Sequence, residues 1–350
     1  MLSGRDDLRI LPQLLLPWFE KNKRDLPWRK DRDPYHIWVS EIMLQQTRVE
    51  AVKGYYERFL TAIPSIEHLA LADDELLHKL WEGLGYYSRV KNLKKAAQEI
   101  CQIYGGRFPE NYDDILSLPG IGMYTAGAIS SIAFNKPVPA VDGNVLRVYT
   151  RLTENATSID LQSFKKLVNQ ELMEIYPKQA CSFTQALMEL GATVCVPNGK
   201  PDCDNCPCRD LCSAFKSGNQ LAFPVKTPRK CRKVEEKTVF IINCDDAYAL
   251  EKREPKGLLA GLWQFPNTPG KLSVNDALTF LEQCGFIVHD VKRSVQRNHI
   301  FTHVDWKMTG IYVDVSERNR SFTWFSSEEV NNTTAIPTAF RQFWEVIEDV

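Results

Sequence analysis

Residues 117–129 read SLPGIGMYTAGAI, from Ser117 to Ile129. The run Leu118-Pro119-Gly120-Ile121-Gly122 separates two stretches of helical periodicity, YDDILSL before it and TAGAISSIAF after it. Glycine permits positive φ and lets a phosphate come close to the main chain. The first amides of the second helix then face that phosphate. This is the pattern of a helix–hairpin–helix, which grips a DNA backbone without reading its sequence. A plain helix–helix turn is the alternative, and it accounts for one glycine better than for the whole LPGIG run. Tyr124 follows Gly122 by two positions. A phenol therefore stands beside the hairpin, where an amine would support different chemistry.

Helical patterning extends outward from this hairpin, from Leu8 to about Cys212, with no convincing strand. In SEIMLQQTRVEAVKGYYERFL, Ile42, Val49, Val52, Tyr56 and Phe59 recur at helical spacing, and Ser40 is placed to cap the helix. ADDELLHKLWEGLGYYSRVKNLKKAAQEICQIYGG predicts two helices, parted near Gly83–Gly85 and closed by Gly105–Gly106. SFKKLVNQELMEIYP and CSFTQALMELGATVC predict two more. After Cys212 the texture changes. SGNQLAFPVKTPRKCRKVEEK holds two prolines and many charges and reads as a surface linker. KTVFIINCDDAYALEKRE predicts a strand, a turn and a strand, and SVNDALTFLEQCGF a capped helix. GIYVDV and SFTWFS predict further strands, and a closing helix starts near Thr338. The expected domains are a helical one over 1–216, a linker over 217–236, and a mixed α and β one over 237–350.

A chain of 350 residues, 44% apolar and 25% charged, has room for two ordinary globular cores. No stretch approaches the roughly 18 apolar residues of a membrane span. RILPQLLLPWF is short, broken by prolines and without a signal-cleavage pattern, so it reads as the first helix. The expected location is the cytoplasm, in a bacterium acting at its nucleoid. The net charge of −1 argues against a nucleic-acid binder that relies on a broadly basic surface. A local patch such as SRVKNLKK, Ser88–Lys95, would have to serve, and a solvated helix face explains that run equally well.

Five of the ten cysteines fall between Cys195 and Cys212, in CVPNGKPDCDNCPCRDLC. Without a secretory signal, a disulfide framework is not expected. Cys195, Cys203, Cys206 and Cys212 suit either zinc or an iron–sulfur cluster. A single Cys-x2-Cys pair inside one compact loop favours [4Fe–4S], with Cys208 left over. Two carboxylates also stand out. VSEIMLQQT places Glu41 in an apolar helix, and VPAVDGNVLRV places Asp142 after an apolar run. Two acids in apolar surroundings are the equipment for glycosidic bond cleavage, one raised in pKa to give a proton, the other ionised to stabilise positive charge on the sugar. Each also has a plain reading, Glu41 as a helix-start charge and Asp142 as an N-cap.

Taken together, the hairpin, Val-Asp-Gly-Asn and the four-cysteine loop resemble the helix-hairpin-helix glycosylase superfamily that includes endonuclease III. Within it, the chain resembles the MutY family of adenine DNA glycosylases. LPWRKDRDPYHIWVSEIMLQQT, LWEGLGYYSRVKNL, LPGIGMYTAGAI, AVDGNVLRV and ALMELGATVC carry the match, with GLLAGLWQFP and HIFTHVDW in the second half. The implied fold is an all-α helix-hairpin-helix domain with an iron–sulfur loop, followed by an α+β Nudix-like domain. The implied substrate is double-stranded DNA holding adenine opposite 8-oxoguanine or guanine, met by a monomer and no membrane. By resemblance, Glu41 protonates the adenine ring and Asp142 stabilises the oxocarbenium ion, with Asn144 and Tyr124 orienting them. Trp28 and Arg29 wall the adenine pocket. Gln46, Thr47, Leu84 and Tyr86 meet the duplex around the lesion, while Gly120 and Gly122 hold a phosphate. Phe301, Thr302 and His303 match a loop that reads 8-oxoguanine, where serine is usual in the middle. The cluster ligands are Cys195, Cys203, Cys206 and Cys212, with the first spacing one residue longer than in the family.

Three functions compete at this stage. A monofunctional adenine glycosylase needs no amine. A glycosylase with lyase activity on oxidised pyrimidines needs a lysine for a Schiff base, and endonuclease III-like enzymes carry it where this chain has Tyr124. A non-enzymatic iron–sulfur protein that binds DNA or senses redox state would have no use for Glu41 and Asp142. Glu282 alone in DALTFLEQCGF falls short of the glutamate set of a Nudix hydrolase, so no nucleotide hydrolysis is expected.

Overall fold

The computed structural model describes residues 6–228 and 231–348. It divides into two units, Met1–Leu71 with Asn92–Arg229, and Ala72–Lys91 with Lys230–Val350. Among the described residues of the first unit every regular element is a helix. Some of its helices begin where a short polar side chain takes unpaired first amides. Asp33 accepts from Tyr35 N at 2.8 Å ahead of the helix Pro34–Leu44. Asn111 accepts from Asp113 N at 2.8 Å ahead of Tyr112–Ser117. One core joins Leu11, Leu15 and Phe19 of the helix Leu11–Asn22 to Val145 and Val148, and to Phe183, Leu187 and Leu190.

The expected cap at Ser40 is not there. Ser40 lies inside Pro34–Leu44 and turns its hydroxyl back to the Ile37 carbonyl at 2.8 Å. Asp33 and Pro34 start this helix earlier, and the chain then breaks before a second helix, Val49–Ala62. Gln46 sits in the break with φ 62°. The hairpin forms as expected between Tyr112–Ser117 and Met123–Ile132, closed by Ile121 N to Leu118 O at 3.1 Å. Gly120 has φ +78°, and a Cβ there would lie 2.6 Å from Asn92 Cβ, so this position demands glycine. Gly122 is in extended backbone and caps the second helix instead.

The second unit is built on a seven-stranded sheet: β1 Lys233–Cys244, β2 Ala247–Lys252, β3 Trp263–Gln264, β4 Asn267–Pro269, β5 Val288–Ile300, β6 Val304–Val315 and β7 Thr323–Ser326. The order is β3-β2-β1-β6-β5, with β4 on β1 and β7 on β2. β1 and β6 run parallel, while β5 and β6 form a long antiparallel hairpin. β1 starts inside the segment read as linker, because Lys233–Glu236 pair with Val304–Lys307. Central strand β1 is buried on both faces, which explains its unbroken VFII run. Val239 and Ile241 face Phe340, Phe343 and Trp344 of the closing helix Thr338–Glu348. Phe240 and Ile242 face Ala277 and Leu281 of the helix Val274–Gln283. Each large apolar side chain so buried contributes about 1.5–3 kcal/mol.

Residues 72–91 pack as part of this unit. Glu75 accepts from Lys252 Nζ at 2.6 Å and from Trp263 Nε1 at 3.2 Å, and Glu82 accepts from Ile336 N at 3.1 Å. Two cations of the SRVKNLKK run are committed here as well. Lys91 donates to the Ala260 carbonyl at 2.8 Å, and Arg89 to the Leu84 and Gly85 carbonyls.

Candidate active site

Glu41 is carried on a helix whose side chains from Tyr35 to Met43 are almost all buried, and it is itself only 5% exposed. The Tyr124 hydroxyl, from the first turn after the hairpin, donates to Glu41 Oε2. Burial pushes the Glu41 carboxyl up to about 7. The phenol and the Arg29 charge oppose that rise, and the Asp142 charge adds to it. Burial and the two neighbouring acids hold Tyr124 well above its ordinary value, so it remains a neutral donor.

Asp142 caps the helix Gly143–Thr153. Its Oδ1 accepts from Val145 N at 2.7 Å and its Oδ2 from Asn144 Nδ2 at 2.7 Å. Burial raises this carboxyl too, but both of those donors and the Arg147 charge favour its anion. The two acids are therefore treated differently. Glu41 has one phenol and the Arg29 charge to stabilise its anion, whereas Asp142 has an amide, a carboxamide and a guanidinium nearby.

Asn144 is fixed from both sides. Arg147 Nη2 donates to Asn144 Oδ1 at 2.8 Å and to the Gly191 carbonyl at 2.7 Å, and Arg147 Nε reaches the Cys195 carbonyl at 2.7 Å. Gly191 lets the helix Ala180–Thr193 lie directly on Asn144, since a Cβ there would fall 2.5 Å from Asn144 Cβ. Gly191→Ala must displace Asn144 and with it the hydrogen bond to Asp142. We expect a ~10- to 100-fold loss in the single-turnover rate of base release, the range for small misplacements of catalytic groups. An unchanged rate would show that Asn144 does not orient Asp142.

Glu41, Tyr124, Asp142 and Asn144 line one cavity of about 780 Å³. Trp28 and Arg29 lie on its wall, and Gln46, Thr47 and Gly122 also line it. The sequence reading missed Glu189, which is fully buried on the same wall. It accepts from Arg24 Nε at 2.7 Å and from Arg29 Nη2 at 2.8 Å. Burial alone would raise its pKa, but the two guanidiniums outweigh that and lower it. Its signal was present as a lone acid among Ala186, Leu187 and Leu190, the apolar face of its helix. Arg29 is thus held in place by a buried anion and stacks over Phe19 at 5.4 Å.

Leu84, Tyr86, Phe301, Thr302 and His303 lie in the second unit. Leu84 is buried, 6% exposed, while Tyr86 is exposed and adopts φ 48°. The Tyr86 hydroxyl and Thr302 Oγ1 are hydrogen-bonded at 2.6 Å. Phe301, Thr302 and His303 form the turn joining β5 to β6, closed by Phe301 N to Val304 O at 2.8 Å. The ring of Phe301 packs edge-on to Trp306.

Cys195, Cys203, Cys206, Cys208 and Cys212 line a second, small cavity in the first unit. Among the described residues no three His, Cys, Asp or Glu side chains converge to hold a single metal ion. The Cys195 sulfur accepts from Arg151 Nη1 at 3.2 Å, and the Cys212 thiol donates to the Arg151 carbonyl at 3.3 Å.

Comparison with known proteins agrees with this architecture. Residues 39–178 match the family model described as HhH-GPD superfamily base excision DNA repair protein, and residues 238–346 match the NUDIX domain. The adenine DNA glycosylase of Mus musculus is 33% identical over 415 residues, spanning 100% of this chain and 80% of that protein. The adenine DNA glycosylase of Buchnera aphidicola subsp. Acyrthosiphon pisum is 34% identical, over 84% of this chain and 83% of its own length. Among solved structures, a thermostable thymine-DNA glycosylase superposes with TM-score 0.55 at 31% identity, covering 61% of this chain and 99% of that one. An endonuclease III–DNA covalent intermediate gives 0.52 at 25% identity, covering 62% and 99%. With a helix-hairpin-helix unit holding two differently stabilised carboxyls, a Nudix-like unit beside it in the chain, and these relatives spanning both, the chain belongs to the MutY family of adenine DNA glycosylases, enzymes of base excision repair of DNA.

Proposed function

We propose that the substrate is adenine mispaired with 8-oxoguanine or guanine, and that the enzyme releases the base without cutting the strand. The observation that carries this reading is the unequal pair of acids on one cavity, with Tyr124 beside Glu41. Glu41, protonated near neutrality, donates to the ring of the flipped adenine, which is a poor leaving group as an anion. Asp142 remains the anion that stabilises the oxocarbenium ion. A phenol at position 124 cannot form a Schiff base, so water completes the reaction. Trp28 and Arg29, braced by Glu189, enclose the base, and Gly120, Gly122, Gln46 and Thr47 meet the DNA. The Tyr86–Thr302 pair on the Nudix-like unit supplies hydroxyls for reading 8-oxoguanine. We take the enzyme to act as a monomer, since the groups assigned roles at the cavity all belong to one unit.

The test is base release from duplexes with adenine opposite 8-oxoguanine, guanine and thymine. We expect free adenine from the first two, strand scission only after alkali, and no stoichiometric adduct on borohydride treatment. A stable adduct would favour a lyase. The pH profile offers a second check. The rate should rise from low pH, as Asp142 loses its proton, and fall above pH about 7, as Glu41 loses its own. Tyr124→Phe removes a hydrogen bond that favours the Glu41 anion, so the falling limb should move to higher pH.

We also propose that Cys195, Cys203, Cys206 and Cys212 hold a [4Fe–4S] cluster, which braces their loop. Thiols of one short loop lining one cavity supply the ligand type such a cluster needs, one thiolate for each iron. Arg151, donating to the Cys195 sulfur, offsets the negative charge such a group brings.

A further inference from the structure

Arg24 and Arg29 close a ring around one buried carboxylate. Glu189 is 0% exposed and accepts four side-chain hydrogen bonds, all from these two residues. Its Oε1 takes Arg24 N at 3.1 Å and Arg24 Nε at 2.7 Å. Its Oε2 takes Arg24 Nη2 at 3.0 Å and Arg29 Nη2 at 2.8 Å. A carboxylate has about four acceptor positions, so Glu189 keeps none for a substrate. The short turn Pro27–Arg29, held by Arg29 N to Leu26 O at 2.9 Å, folds Arg29 back toward Arg24. There Arg29 Nη1 donates to the Arg24 carbonyl at 3.0 Å. Phe19 meets the face of the same guanidinium at 5.4 Å. Arg29 is thus fixed at two nitrogens and one face. Its other N–H groups have no partner among the described residues, and Arg29 lines the cavity that holds Glu41 and Asp142.

We propose that Glu189 is a positioning residue that sets base specificity: it aims the free N–H groups of Arg29 at a ring nitrogen of adenine other than the one Glu41 protonates. The proposal rests on the adenine pocket described under the proposed function. A guanidinium only donates, and its fork is rigid. Held still, it pairs with a base that has an unprotonated ring nitrogen in its path. Against a base without one, it is left unpaired, and that loss is large in a desolvated site. Gln at position 189 offers one oxygen where two guanidiniums need acceptors. Arg24 makes three of the four bonds and retains that oxygen. The amide N–H2 then faces Arg29, donor against donor, and displaces it.

The experiment uses the full chain and duplexes in which 8-oxoguanine faces adenine or its 1-, 3- or 7-deaza analogue, each lacking one ring nitrogen. Single-turnover base release is measured for wild type, Glu189→Gln and Arg29→Met. The adenine-to-analogue rate ratio is compared between proteins, which cancels the intrinsic lability of each analogue. Loss of the nitrogen that Glu41 protonates should give the same ratio in all three. For one other analogue, we expect the ratio to fall by about 10- to 100-fold in both variants, the worth of a hydrogen bond from a charged donor. A fall in Arg29→Met alone would overturn the role of Glu189 and leave the pocket reading standing. Equal ratios in all three proteins for every analogue would take Arg29 off the base and overturn both. Where Glu189→Gln does not fold, Arg24→Met with Glu189→Leu removes the anion and one cation together, keeps the net charge, and is read in its place.

Discussion

Glu41→Gln is expected to lower single-turnover release of adenine by about 10²- to 10⁴-fold, the span of a lost general acid. The amide keeps the shape and accepts the Tyr124 hydrogen bond, but it has no proton to give. Binding of mispaired duplex should survive, since the pocket wall formed by Trp28, Arg29 and Glu189 is untouched. A variant with full activity would remove Glu41 from the mechanism. The same change should stabilise the fold above neutral pH. The unfolded carboxyl loses its proton near 4.5, the folded one near about 7. Stability present at low pH is therefore lost as pH rises through that window, up to about 3 kcal/mol at about 1.4 kcal/mol per pK unit. Gln escapes this loss. Thermal melts of both proteins at pH 5 and pH 8 would read it as a difference that appears only at the higher pH.

Asp142→Asn is expected to cost about 10²- to 10³-fold in the same assay, the range for losing one preorganised electrostatic partner of a developing charge. Here structure and catalysis separate cleanly. Asn is as good an N-cap as Asp, so the bond to Val145 N can persist and the helix Gly143–Thr153 should keep its start. The melting temperature should then stay close to wild type while base release collapses. A parallel fall of both would mean that Asp142 matters as a cap alone.

Much of the architecture was legible from local chemistry. Asp33, Asn111 and Asp142 are short polar side chains ahead of apolar-periodic runs, and each starts a helix. Gly120 falls at a positive φ that the LPGIG run implied. Ser40 shows where this logic misleads. It is a good cap residue in front of a plausible helix, but Asp33–Pro34 seven residues earlier had already started that helix. Strand β5 was not legible. Its VHDVKRSVQRNHI sequence is polar and lies along the sheet edge, so no buried face marks it, and only pairing with β6 identifies it.

By itself, the sequence determined which residue types stand beside the hairpin: a phenol and no amine at position 124, acids at 41 and 142, and five thiols in one short loop. Tertiary structure alone decided what those groups can do. Whether a carboxyl keeps its proton depends on how much water it loses and which donors face it. Those surroundings come from segments far apart in the chain. Tyr124 and Arg29 reach Glu41 from two other elements, Glu189 locks Arg29 from a distant helix, and Gly191 and Arg147 set Asn144 against Asp142. Desolvation and cross-chain pairing have no sequence period, so they are invisible until the helices pack.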